Sequence, residues 1–138
     1  MDILRGGCAC GAVRYEAAGD VIASFVCHCT DCQRATGGGP TYGMLVPADG
    51  FKLMKGKPRV YWLSGDSGKR VGRNFCPDCG SPVCTELEVA PHLREIAAGS
   101  LDERSSFRPG LHMWVSSAPP WHHIDPALPR FERHPTHP

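Results

Sequence analysis

Seven of the eight cysteines fall into three tight groups, Cys8-Ala9-Cys10, Cys27-His28-Cys29-Thr30-Asp31-Cys32 and Cys76-Pro77-Asp78-Cys79. Thiols one to three residues apart, in groups drawn from distant parts of a chain, suit a soft metal ion. Zinc takes four such ligands tetrahedrally, with Zn–S about 2.3 Å. Seven clustered thiols divide into four and three. Four close a metal site, and three leave a coordination position open, where zinc can do chemistry.

The other use of eight cysteines is a disulfide framework, as in small secreted proteins. The N-terminal Met1-Asp2-Ile3-Leu4-Arg5-Gly6 has neither the positive end nor the apolar stretch of a signal peptide. A chain of 138 residues is also long enough for a hydrophobic core to form without staples. The spacing is that of ligands, so the expectation is two zinc ions per chain and a cytoplasmic location. A net charge of +1 gives no electrostatic footprint for nucleic acid. No run approaches the roughly 20 apolar residues of a membrane-spanning helix.

The chain reads as one domain over residues 1–138, mainly β, with little helix. Strands are expected at Val13–Glu16, Val21–Val26, Thr41–Val46, Phe51–Met54, Val60–Leu63, Val71–Phe75, Val83–Leu87, Glu95–Ala98 and Leu111–Val115. Pro47 and Asp49-Gly50 predict a hairpin joining the third and fourth of these. Ser64–Lys69 forms the loop between Val60–Leu63 and Val71–Phe75, and the latter leads into Cys76. A short helix should start near Thr30-Asp31, capped by one of them, and stop at Gly37-Gly38-Gly39-Pro40. Its first turn would aim Cys32 back at Cys27 and Cys29. Residues 119–138 are proline-rich and read as a strap whose aromatics, Trp121 and Phe131, dock on the body.

Alternation in an extended chain puts Cys8 and Cys10 on one face, so both can reach one ion. The favoured set is Cys8, Cys10, Cys76 and Cys79. Cys27, Cys29 and Cys32 supply three ligands to a second ion, with the fourth position open to water, a distant side chain or a substrate thiol. The alternative is a second closed site completed by Cys84 or a histidine. His28 points to the opposite side from its neighbours if that segment is extended. Cys84 reads as a small buried hydrophobe. His112, His122 and His123 read as surface or hydrogen-bonded residues.

The patterns Gly7-Cys8-x-Cys10-Gly11, Cys27-His28-Cys29-x-x-Cys32 and Phe75-Cys76-x-x-Cys79-Gly80-Ser81 resemble those of a known family. So do the later Leu111-His112 to Ser116, Ala118-Pro119-Pro120-Trp121 and Leu128-Pro129-Arg130-Phe131. That family is the glutathione-dependent formaldehyde-activating enzymes, which include centromere protein V. The resemblance implies a β-tent zinc-binding fold of short antiparallel strands. It implies a structural zinc on Cys8, Cys10, Cys76 and Cys79, and a catalytic zinc on Cys27, Cys29 and Cys32. It also implies a carbon–sulfur lyase activity joining glutathione to formaldehyde as S-(hydroxymethyl)glutathione. The expected partners are therefore a small-molecule thiol and an aldehyde, with Gln33, Arg34 and the Gly37–Gly39 loop as candidate substrate contacts. The competing reading is a non-enzymatic zinc-binding module with two structural zinc sites.

Overall fold

The computed structural model describes residues 3–135, and the ends of the expected domain and strap lie outside them. Short alternating segments leave strands as the main element. The first five are β1 (Leu4–Gly7), β2 (Arg14–Ala17), β3 (Ala23–Cys27), β4 (Thr41–Pro47) and β5 (Phe51–Lys55). The next five are β6 (Arg59–Ser64), β7 (Arg70–Phe75), β8 (Pro82–Leu87), β9 (Leu93–Ala97) and β10 (His112–Met113). The one α-helix among the described residues is α1 (Thr30–Thr36). The mainly β expectation holds.

The strands form two sheets, a small one ordered β1-β2-β5 and a large one ordered β10-β3-β4-β9-β8-β7-β6. All pairs are antiparallel except β10 with β3. Tyr15 and Ala17 alternate with the half-buried Arg14 and Glu16 on β2, as expected of a sheet with one wet face. Their buried side chains join Met44, Val46, Val83 and Ile96 of the large sheet in one core. The opposite face of the large sheet carries Phe25, Gly43, Arg73, Thr85 and Glu95, and this face positions the candidate site.

The hairpin expected between Thr41–Val46 and Phe51–Met54 does not form: β4 and β5 lie in different sheets. Both edges of β4 are taken, by β3 and β9, while β2 has an edge that β5 fills. A 3-10 turn at Ala48–Gly50 carries the chain across. Ala18 N–H donates to Gly50 O at 2.9 Å, and a Cβ on Gly50 would lie 2.0 Å from Ala18 O. Only glycine allows that approach.

The tail docks, though not chiefly through its aromatics. Trp121 stays 68% exposed. Hydrogen bonds make the contact: Phe131 N–H donates to His112 O at 3.0 Å and His112 N–H to Pro129 O at 2.9 Å, and the His122 ring bonds His28 and Gly38 O. Among the described residues, no helix is long and apolar enough to cross a membrane.

Candidate metal centres

Four thiols meet where two turns touch. The β1–β2 loop brings Cys8 and Cys10, and the β7–β8 turn brings Cys76 and Cys79. Gly80, at φ +75°, lets that turn close with its N–H on Cys76 O at 2.8 Å. Ala9 N–H donates to Ser81 Oγ at 3.1 Å and ties the two turns together. The four sulfurs lie within 4.8 Å of one another. Cys8 Sγ is 3.7 Å from Cys10 Sγ, which is 3.8 Å from Cys76 Sγ. A tetrahedral zinc–thiolate site requires neighbouring sulfurs about 3.8 Å apart, so this set fits the ion. Val13 N–H and Asp78 N–H donate to the sulfurs of Cys8 and Cys76 at 3.2 and 3.4 Å, as suits thiolates.

The second group spans a strand-to-helix turn. Cys27 ends β3, Cys29 precedes α1, and Cys32 sits in its first turn, with the three sulfurs again within 4.8 Å of one another. The expected cap, Thr30 or Asp31, is displaced: Cys29 is the N-cap, its sulfur accepting from Cys32 N–H at 3.3 Å. A cap one residue earlier points the ligand sulfur along the helix start, where negative charge is favoured. Gly37, in the left-handed region, ends the helix as expected.

No histidine or carboxylate joins this trio among the described residues. Hydrogen bonds from the Cys27 and Cys29 thiols pull the Cys32 thiol down, assisted by Thr41 and Arg73 and opposed by burial. Hydrogen bonding with Cys29 and then Cys32, together with burial, pushes the Cys27 thiol up. Three thiolates at this spacing need a cation among them, and the set fits one with a position to spare.

Arg73 and Glu95 were not legible from sequence. An arginine nitrogen of Arg73 (Nη2) donates to Cys32 Sγ at 3.5 Å, while its buried Nε has no hydrogen-bond partner. Burial and the charge on Cys32 push the Glu95 carboxyl up to about 7, against the pull of Arg73. Thr41, Arg73 and Glu95 line a cleft of about 890 Å3 that extends past Ala35 and Thr36 to Cys8 and Ser81. Both charges sit on alternating strands, where sequence alone places them in water.

The candidate substrate contacts fare differently. Gln33 donates from Nε2 to His28 O at 2.8 Å and Ser117 O at 3.0 Å, which uses both amide hydrogens inside the fold. Arg34 is exposed, away from the cleft lining. His122 bonds Gly38 O at 2.7 Å, so the tail occupies the Gly37–Gly39 loop. His28 does point away from the sulfurs, fully buried, and burial with its histidine neighbours lowers it to about 4. Cys84 is buried in the core, as expected, and burial raises it to about 11.

A two-sheet β scaffold with one four-thiol and one three-thiol cluster defines a protein able to hold metal ions at a closed and an open site. The glutathione-dependent formaldehyde-activating enzyme family matches residues 3–117, and the chain belongs to it. A Halomonas elongata protein provisionally named as such an enzyme is 27% identical over 129 residues, covering 89% of this chain and 82% of that protein. A crystal structure of a Rhodobacter sphaeroides protein superposes with a TM-score of 0.60 at 15% identity, covering 92% of this chain and 98% of that one. At that identity the likeness speaks for the fold.

Proposed function

We propose that the protein is a zinc-dependent carbon–sulfur lyase that joins a small thiol, such as glutathione, to an aldehyde, such as formaldehyde, giving an S-hydroxymethyl product. The observation that carries this reading is the three-sulfur cluster, which no fourth protein donor joins among the described residues, and whose Cys32 bonds Arg73, a lining residue of a cleft of about 890 Å3. Cys8, Cys10, Cys76 and Cys79 are the ligands of a structural zinc, and Cys27, Cys29 and Cys32 those of a catalytic one. When bound there, zinc supplies a Lewis acid that makes a thiol at its open position more acidic.

The chain's own groups do the rest. Arg73 holds positive charge beside the sulfurs and faces the cleft, where it stabilises an anionic thiol or oxygen. Glu95 is the carboxylate placed to take the thiol proton and return it to the aldehyde oxygen as the S–C bond forms and the C=O π bond opens. Atoms balance, and no electron acceptor is needed. Replacing Glu95 with Gln should lower turnover by about 10²–10⁴-fold, as for loss of a general acid–base group. Binding of the thiol should survive.

The test of the assignment is Cys29→Ala. Metal content should fall from two to one, thiol–aldehyde activity should vanish, and unfolding should stay cooperative. A variant that unfolds would make the second site structural and favour the non-enzymatic module. Zinc-loaded wild type that gives no adduct above the uncatalysed rate, with any small thiol and aldehyde, would remove the enzyme reading.

A further inference from the structure

His28 stands between two of the candidate ligands, yet its ring faces away from them into two other histidines. Its Nε2 lies 2.8 Å from His112 Nδ1, and its Nδ1 lies 2.9 Å from His122 Nδ1. The chain extends at both ends. Asp125 N–H donates to His112 Nε2 at 3.1 Å, and His122 Nε2 lies 2.7 Å from Gly38 O. These end groups have only one role each: a backbone N–H donates and a carbonyl accepts.

Their polarity fixes every proton between them. His112 Nε2 accepts from Asp125, so its hydrogen is on Nδ1 and is donated to His28 Nε2. His28 then carries its hydrogen on Nδ1 and donates to His122 Nδ1. His122 carries its own on Nε2 and donates to Gly38 O. Four links use one hydrogen each, and all run in one direction. An additional proton on any ring would set two N–H groups against each other.

The backbone of His28 is held as well. Its N–H donates to Met113 O at 3.0 Å, and its carbonyl accepts from Gln33 Nε2 at 2.8 Å. Four polar atoms of one residue are thereby pinned to β10, α1 and the tail. The residues on either side are Cys27 and Cys29.

We propose that His28 is the positioning residue of the three-cysteine site, and that the one-way chain from Asp125 through His112, His28 and His122 to Gly38 ties the ligand turn to the C-terminal tail. Tail docking then sets how tightly the trio holds its metal. This inference rests on reading the trio as a metal site but does not depend on the reaction carried out there. Groups that orient metal ligands from outside typically alter affinity by about 10–100-fold when removed.

The experiment uses the full chain with 15N-labelled histidine, together with His122→Ala and His122→Asn. Nitrogen NMR of the wild type should show three neutral rings, with Nδ1–H on His28 and His112 and Nε2–H on His122. In His122→Ala, His28 loses its acceptor, and its nitrogen resonances should shift. Competition with a chromophoric chelator should show the trio's zinc affinity falling by about 10–100-fold. The four-cysteine site should bind as before, which serves as the internal control for folding. In His122→Asn, Oδ1 can replace Nδ1 as acceptor, and affinity should return to within a few-fold of wild type. An Nε2–H tautomer or an imidazolium at His28 would overturn the chain. So would a His122→Ala protein whose trio binds zinc as the wild type does, or a wild-type trio that takes no zinc. A protein that meets these expectations yet forms no thiol–aldehyde adduct would refute the proposed reaction and leave this inference standing.

Discussion

The buried polar residues decide their own protonation by the partners that surround them, and Tyr15 shows this away from the thiols. Its hydroxyl lies 2.6 Å from Ser100 Oγ, and Ser100 Oγ donates to Ala97 O at 2.7 Å. Ser100 has spent its hydrogen on the carbonyl, so Tyr15 must be the donor. Burial pushes the Tyr15 hydroxyl up to about 12. The folded value thus lies above the unfolded value near 10. A group raised in this way favours the fold fully below about pH 10 and loses that contribution as pH climbs towards 12. The loss is about 2–3 kcal/mol over this window. Denaturant unfolding of wild type and Tyr15→Phe at about pH 9 and about pH 11 measures the first half of it: the wild type should lose about 1.3 kcal/mol between these two values and the variant should not. Equal losses would show that Tyr15 ionises freely in the fold. Ser100→Ala should cost about 1–3 kcal/mol near neutral pH by stranding the tyrosine donor.

At this scale the seven clustered thiols were legible because ligand spacing is a local property. His28 was legible as pointing away, since neighbouring side chains alternate in an extended segment. Arg73 and Glu95 were not, because a charged residue on a strand reads as solvent-facing unless the elements covering it are known. Gln33 lay next to the ligands in sequence, yet its amide is spent on His28 O and Ser117 O.

Among the elements, the strand-to-helix turn and the β6–β7 hairpin follow from local signals: a glycine stop for α1 and a polar loop between two apolar runs. The β4–β5 hairpin was misread for the converse reason. A Pro-Ala-Asp-Gly turn permits a reversal but does not choose the partner, and the open edge of β2 made that choice. The same cross-strand logic explains two glycines that face aromatic rings. Gly43 pairs with Phe25 and Gly72 with Trp62. A Cβ would lie 2.6 Å from Phe25 Cζ at Gly43 and 2.8 Å from Trp62 Cη2 at Gly72. The outcomes should differ, because Phe25 is 6% exposed and Trp62 is 41% exposed. Phe25 packs with Cys27 and Cys32 in a buried cluster, so its ring cannot turn out into solvent as an exposed one can. Gly43→Ala should therefore cost about 1–3 kcal/mol as an overpacked site. At Gly72 the indole can swing outwards, and alanine's smaller backbone entropy cost, about 0.5–1 kcal/mol, offsets the disturbance. Urea midpoints of the two variants compare them directly. Equal midpoints would mean that the Phe25 environment is looser than its burial implies.

Across the whole molecule, the two thiol clusters occupy different mechanical positions. The four-cysteine group joins the β1–β2 loop of the small sheet to the β7–β8 turn of the large one, between residues 66 apart in sequence at Cys10 and Cys76. The trio lies within one turn of the large sheet, which hydrogen bonds to β10, α1 and the tail already hold. Loss of a ligand from the first group should release one sheet from the other, whereas loss from the second should relax a single turn. Cys10 is exposed, so Cys10→Ser removes a ligand without opening a cavity. For a chain of this size, 1 kcal/mol corresponds to a Tm shift of about 3–5 °C. Metal binding at a site that closes a fold contributes several such units. Cys10→Ser should accordingly lower Tm by about 10 °C or more, and Cys29→Ala by less than about 4 °C, in calorimetric scans of zinc-loaded protein. Treating each variant with a strong chelator extends the comparison. Cys29→Ala should then fall to the Tm of Cys10→Ser, since both have lost the link between the sheets, while Cys10→Ser should move little further. The reverse ordering would assign the cross-link to the trio. It would also require that the packing of Tyr15, Met44 and Ile96 holds the sheets together without help from the four thiols.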